Sequence, residues 1–257
     1  MSWERNIVLK SPSEIAVMRQ AGKINALALE TVRKMIRPGV TTADLDAAAE
    51  AVIRQHGAIP TFKGYPGPYP YPATICASVN EQLVHGIPGK RTLQSGDVIS
   101  IDCGSTFEGF VGDAAITVGV GEISPEAHRL IEVTEQALYE GIRQMRAGNR
   151  VGDVSAAIQR YVESYGFQVT REYTGHGVGR QMHEGPQVPN YGIAGRGMVL
   201  RPGMTIALEP MVLIGTHNTR VLPDQWTVVS ADGSLTAHYE HSIAVTEDEP
   251  LILTLPD

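Results

Sequence analysis

Five residues spread along the chain are of the types that hold divalent metals: Asp102, Asp113, His176, Glu209 and Glu240. Four carboxylates and one imidazole bring more negative charge than one divalent ion neutralises, and they suit two ions bridged by carboxylates. Oxygen-rich ligation with a single histidine favours Mn, Fe(II), Co or Zn in such a site over a structural thiolate zinc. Cysteine usage agrees. Cys76 and Cys103 are the only two, without Cys-x-x-Cys spacing, so neither a disulfide framework nor a thiolate zinc site is expected, and a reducing compartment fits. No local pattern such as His-Glu-x-x-His gathers the ligands. Singly, an aspartate near a strand end is more often a turn cap, and a histidine among glycines more often a hydrogen-bonded spacer. Together the residues give a dinuclear hydrolase, and by themselves no more than that.

The elements that must position them are mostly strands. Two β-rich runs, 98–103 and 110–118, flank a Gly/Ser-containing connection and read as a hairpin. With its loop centred between Phe107 and Glu108, Asp102 and Asp113 lie directly opposite each other on one face. Like charges so placed are destabilising, which calls for a protonated carboxyl or a cation between them. The later carboxylates in similarly apolar settings favour the cation. Glu240 is set mid-strand in the apolar run 235–245, where an unpaired carboxylate is costly. His176 lies in Gly175-His176-Gly177-Val178-Gly179, where backbone can approach closely. Further strands are expected over 74–79, 204–209, 211–214 and 226–230.

Between strands, Ser11-Pro12-Ser13-Glu14 carries capping chemistry ahead of an amphipathic helix over 12–37, with Ile15, Met18, Ile24, Leu27, Val32 and Ile36 on its apolar face. Arg19, Lys23, Arg33 and Arg37 read as a solvated face in preference to a docking patch. A second helix, 44–55, follows a Thr41 or Thr42 cap. The same order recurs in the second half. The stretch 37–57 is echoed by 146–166, each copy preceded by a long helix, the second over 126–145, and 93–102 is echoed by 200–209, which makes Asp102 and Glu209 equivalent. The expectation is one α+β domain over 1–257 whose pseudo-symmetric halves, roughly 13–118 and 122–245, face a shared cleft. The stretch 61–72 is a Pro/Tyr/Gly loop that cannot be helix: either a packed surface loop or a pocket wall of rigid aromatics.

Composition excludes some functions. The formal charge of −7 argues against broad affinity for nucleic acid or anionic membranes. The amino terminus lacks a signal-length apolar run and no segment is long enough to cross a bilayer, so a cytoplasmic protein is expected.

Val84-His85-Gly86-Ile87-Pro88, Asp102 with Asp113, the Gly-His-Gly-Val-Gly run, His183-Glu184-x-Pro186, Glu209-Pro210-Met211 and Tyr239-Glu240-His241 follow one another with the order and spacing of a type I methionine aminopeptidase. Over essentially its whole length the chain resembles the short bacterial form of that family, without an amino-terminal zinc-binding extension. The resemblance implies the pita-bread fold, an α+β architecture with a curved antiparallel sheet and helices on its outer face. It implies that Asp102 and Asp113 hold one metal and that Asp113 and Glu240 bridge to a second, also held by His176 and Glu209. A bridging water acidified by both cations would be the nucleophile. Glu209 is implied as general base and proton shuttle, His183 as the group stabilising the oxyanion, and His85 as the contact on the leaving-amine side. Phe62, Tyr65, Tyr71, Cys76, Met182 and Trp226 are implied as the methionine pocket, whose soft apolar wall suits a thioether. The sequence departs from the commoner bacterial pattern at Phe62, where Cys is frequent, at Met182, where Phe is frequent, and in a longer 64–72 loop. The implied activity is removal of the initiator methionine from nascent chains with a small second residue; nothing in the sequence demands more than a monomer, and a transient ribosome contact is the one further partner considered. An X-Pro peptidase of the same fold and a non-catalytic binding module are the alternatives.

Overall fold

Ser11 opens the first helix, α1 (Pro12–Met35), with a capping box in which its hydroxyl accepts from the Glu14 amide and Glu14 reaches back. The computed structural model describes residues 7–256, so the first six residues of the terminus read above for a signal sequence lie outside it. The helix ends at Met35, two residues short of the expected 37: Arg37 precedes Pro38, which disfavours helical backbone there, and Ile36 is already extended. Leu27, expected on the buried face, is exposed, and Asn25 is buried in that face instead, its amide donating to the Cys103 carbonyl. Arg19 does not join a solvated stripe: it donates to the carbonyls of Leu253 and Leu255 and ties the carboxy-terminal segment down. A second capping box, Thr41 with Asp44, starts α2 (Thr42–Gln55). The helices α3 (Pro125–Gln144) and α4 (Val151–Ser164) form the other pair. Among the described residues no helix is long and apolar enough to cross a membrane.

A nine-stranded sheet, antiparallel in every pairing, runs through the molecule. Its central path passes from Val98–Phe107 to Phe110–Gly119, Glu240–Ala244, Thr205–Leu208 and Thr174–Gly177. One face is covered by helices. Ile99, Ile101, Cys103 and Ala114 pack in one apolar cluster with the buried sides of α1 and α2. Ile206, Leu208, Ile243 and Val245 pack in a second with those of α3 and α4. The alternate residues of the same strands face away from the helices.

Two local features differ from expectation. Phe107 pairs with Phe110, so the hairpin loop is Glu108-Gly109, and Gly104 faces Asp113 while Asp102 faces Ala115. Both loop residues have positive φ, 47° and 78°, the signature of a type I′ turn whose twist matches the strands it joins. Asp102 and Asp113 are therefore diagonal neighbours, displaced by two residues from direct opposition, and a shift of two keeps them on one face. The run 235–245 also is not one strand. It breaks at Tyr239, so Thr236–His238 pairs with Met211–Leu213 while Glu240–Ala244 enters the large sheet. Glu240 thus opens its strand instead of lying mid-strand.

Glu108 at φ 47° is a poor occupant of a left-handed position that asparagine tolerates better. Glu108→Asn should raise the urea midpoint, and Gly109→Val should lower stability by about 1–2 kcal/mol, read from the same denaturation curves.

Candidate metal centre and substrate cleft

The strand register collects the candidate ligands. Asp102 faces Ala115, which on its other side faces Glu240. His176 faces Ala207, which on its other side faces Ser242, and the Ser242 hydroxyl accepts from the Asp113 amide at 3.0 Å. Glu209 follows directly on the strand Thr205–Leu208. Counting in twos along each strand puts Asp102, Asp113, His176, Glu209 and Glu240 on one face, the face without helices. The residues between them are small, Gly104, Ala115 and Ala207, which leaves space in front of the sheet for carboxylates and what they hold.

Distances follow. Ligand atoms of Asp113, His176 and Glu240 all lie within 4.8 Å of one another. His176 Nε2 is 3.4 Å from Glu209 Oε1 and 3.8 Å from Asp113 Oδ2. The other ring nitrogen, Nδ1, is 2.9 Å from the Gly177 carbonyl, which fixes a proton there and turns the Nε2 lone pair toward the acids. Buried oxygens of Asp102, Asp113 and Glu240 have no hydrogen-bond partner, although buried acceptors are normally satisfied. This donor set fits divalent cations.

All thirteen residues singled out from the sequence line one cavity. Cys76 faces Asp102 across the ladder, so the wall of the cavity begins beside the candidate ligands. Phe62, Tyr71 and Cys76 form a buried cluster joined by Tyr65, Met182 and Trp226. Tyr71 donates to the carbonyls of Ile75 and Gly86 and meets the Trp226 ring edge-on at 5.1 Å. His183 Nδ1 lies 2.5 Å from the Tyr65 hydroxyl and its ring 4.3 Å from that of His176. His85, held at a positive φ of 60°, faces Trp226 and Tyr173.

The model of metallopeptidase family M24 matches residues 16–247. The chain belongs to metallopeptidase family M24. A methionine aminopeptidase of Clostridium acetobutylicum is 52% identical to it over 250 residues, covering 97% of this chain and 99% of that one. The crystal structure of methionine aminopeptidase from Thermotoga maritima superposes with a TM-score of 0.94 at 48% identity, covering 97% of this chain and 99% of that one. An Xaa-Pro dipeptidase from Bacillus anthracis, 24% identical with a TM-score of 0.76 over 96% of this chain and 61% of that one, shares the fold. The architecture is the pita-bread fold of M24 enzymes.

In this M24 chain burial disfavours the charged forms of the carboxyls and imidazoles gathered in the cleft. Burial pushes the Asp113 carboxyl up from 3.8 to about 7, with a hydrogen bond from Glu240 pulling it partly back. Burial, and then the neighbouring carboxylates, raise Asp102, Glu209 and Glu240 as well. Burial and the proximity of His183 lower His176 to about 3 and His85 to about 4, and burial lowers His183. Neutral imidazoles suit ligation and hydrogen bonding.

The sequence reading passed over His238. It is buried on the strand that precedes Glu240, its Nε2 3.8 Å from Glu209 Oε2 and 3.9 Å from Glu240 Oε2, with neither ring nitrogen hydrogen-bonded. Its signal was available, since it lies in the same apolar run that drew attention to Glu240. Tyr173, Thr174 and Met211 also line the cavity. Thr174 is two residues from His176 and so shares its face.

Without metal, carboxyls raised by burial bind protons in the folded chain at pH values where the unfolded chain has lost them, so stability falls as pH rises. The buried histidines act oppositely below about pH 6.5, where the unfolded chain becomes charged, and drop out above it. Chelator-treated protein should therefore melt at progressively lower temperature between about pH 6.5 and pH 8, and added divalent metal should flatten that slope in a thermal melt.

Proposed function

We propose that this chain is a methionine aminopeptidase, a dinuclear metallo-exopeptidase of the cytoplasm that removes the initiator methionine from nascent polypeptides whose second residue is small. One observation carries the reading: the hard oxygen and imidazole ligands and the soft aromatic, sulfur-containing wall line the same cavity, joined at Cys76 and Asp102. Asp102, Asp113, His176, Glu209 and Glu240 would hold two ions of Co, Mn, Fe(II) or Zn. When bound, such ions acidify a water and polarise the scissile carbonyl.

The chain's own residues supply the rest. Phe62, Tyr65, Tyr71, Cys76, Met182 and Trp226 receive the methionine side chain, where an unbranched thioether packs well against aromatic rings. A neutral His183 that accepts the Tyr65 hydroxyl proton at Nδ1 carries its own hydrogen on Nε2, as a donor to the carbonyl oxygen where negative charge develops. His85 meets the amide on the leaving-amine side. Glu209, its Oε1 3.4 Å from His176 Nε2 among the candidate ligands, takes a proton from water and delivers it to the departing amine. The unit is one pita-bread domain over 1–257 with related halves, acting as a monomer on peptide and nascent-chain amino termini, with any ribosome contact transient.

The test uses chelator-stripped protein with Mn, Fe(II), Co or Zn added back, on matched tripeptides beginning Met-Gly, Met-Lys and Ala-Pro. Metal-dependent release of methionine from the Met-Gly peptide alone is expected. Preference for Ala-Pro would indicate an X-Pro peptidase, and binding without cleavage a silent module. Glu240→Ala should abolish turnover and weaken metal binding in calorimetry while unfolding stays cooperative. His183→Ala should lower kcat by about 100-fold or more with metal binding retained.

A further inference from the structure

The segment 179–184 presents two residues to the cleft, Met182 and His183, yet most of it has no regular structure to hold it. One end is fixed by the Val111 amide donating to the Gly179 carbonyl at 2.8 Å. The other is fixed by Glu184, whose Oε1 accepts from the Gln181 amide at 3.1 Å while Oε2 accepts from the Lys10 ammonium. Lys10 and Glu184 side chains are only 2% and 7% exposed. Lys10 belongs to the arm ahead of α1, anchored by its own amide to the Gly203 carbonyl at 2.8 Å, and its ammonium also donates to the Val8 carbonyl at 3.1 Å. Its stem passes over Gly179, where an added Cβ would lie 2.4 Å from Lys10 Cε and 2.7 Å from Glu184 Oε1. The last glycine of the Gly-His-Gly-Val-Gly run leaves the space that the end of this lysine fills.

A buried ion pair is a poor source of stability, because desolvating both charges offsets their attraction, and an apolar pair of similar size often serves as well. What this pair does supply is a fixed position for the residue next to His183. We propose that Lys10 is a positioning residue for the peptidase reaction: its ammonium holds Glu184, and through Glu184 the loop that aims His183 at the substrate carbonyl. The inference rests on the peptidase reading above. It also gives Glu184, part of the His-Glu-x-Pro run, a role distinct from metal binding.

Lys10→Met, Lys10→Arg, Gly179→Ala and the double variant Lys10→Met/Glu184→Gln separate positioning from simple stability when compared, metal-loaded, with wild type. The readouts are kcat and KM on a Met-Gly tripeptide, melting temperature and calorimetric metal affinity. Lys10→Met leaves a buried carboxylate unpaired, so it should melt lower and lose roughly tenfold or more in kcat. The double variant removes both charges: its melting temperature should recover while kcat stays low, with metal affinity within about twofold of wild type. Lys10→Arg should retain most of kcat. Gly179→Ala keeps both charges but displaces the ammonium, and should lower kcat in the same direction. Wild-type kcat in the double variant, or in Gly179→Ala if the double does not regain its melting temperature, would overturn the inference, as would a loss explained by metal affinity. Absence of Met-Gly cleavage by the wild type would instead remove the peptidase reading itself.

Discussion

The structure is built around a placement that electrostatics opposes: four carboxylates gathered on one face of one sheet. Antiparallel register forces the meeting, because residues an even number of positions apart share a face and the ladder aligns Asp102, Ala115 and Glu240 across three strands. Water cannot pay the solvation cost there, since Asp113 and Glu240 are almost fully buried and keep oxygens without hydrogen-bond partners. Protons or cations must neutralise them. The helix-covered face carries the compensating apolar burial, in the two clusters under α1 with α2 and under α3 with α4. Stability and chemistry are thus divided between the two sides of the same strands, each side read by every second residue.

Much of this was legible before the fold was seen. The capping residues Ser11 and Glu14, and Thr41 with Asp44, announce the first two helices because side-chain oxygens must satisfy otherwise orphaned amides. The shared face of Asp102 and Asp113 followed from a hairpin reading even though the register was displaced, since face depends only on parity. What did not follow was the turn itself. Glu108 is not a residue that advertises a left-handed conformation, so Gly109 alone could not mark a two-residue loop. The break at Tyr239 was equally silent: the run stays apolar while the chain passes from one sheet to another, and periodicity carries no record of which partner a strand pairs with. Long-range pairings were hidden for the same reason. Arg19 on the carboxy-terminal carbonyls and Lys10 on Glu184 join positions far apart in sequence, where charge patterning along one helix or loop says nothing of the partner.

The histidines show how position decides role among identical side chains. His176 is committed by its Gly177 contact to offering Nε2 as an acceptor, whereas His183, facing a tyrosine hydroxyl through Nδ1, can keep a proton on Nε2. The two rings lie 4.3 Å apart and burial keeps both neutral, so an electron-pair donor and a hydrogen-bond donor stand side by side without repelling each other as charges would. His241, next to Glu240, points the other way in function: its Nδ1 is paired with the Thr254 hydroxyl at 2.8 Å, a structural contact.

The cavity is also divided by the stiffness of what carries it. Asp102, Asp113, His176 and Glu240 sit within strands of the large sheet and Glu209 directly follows one, so their separations are set by backbone pairing on both sides. Among the pocket residues only Cys76 lies in a strand; Phe62, Tyr65, Tyr71, Met182 and Trp226 lie outside the strands, in loops. A change of side chain in a loop alters the pocket wall without moving a rung of the ladder. That separation lets the side chains at Phe62 and Met182 and the 64–72 loop vary without disturbing the carboxylates and the imidazole carried by the sheet. Cys76, facing Asp102 across a rung, is the point at which the aromatic cavity wall and the candidate ligands share one backbone constraint, and a substitution there acts on both.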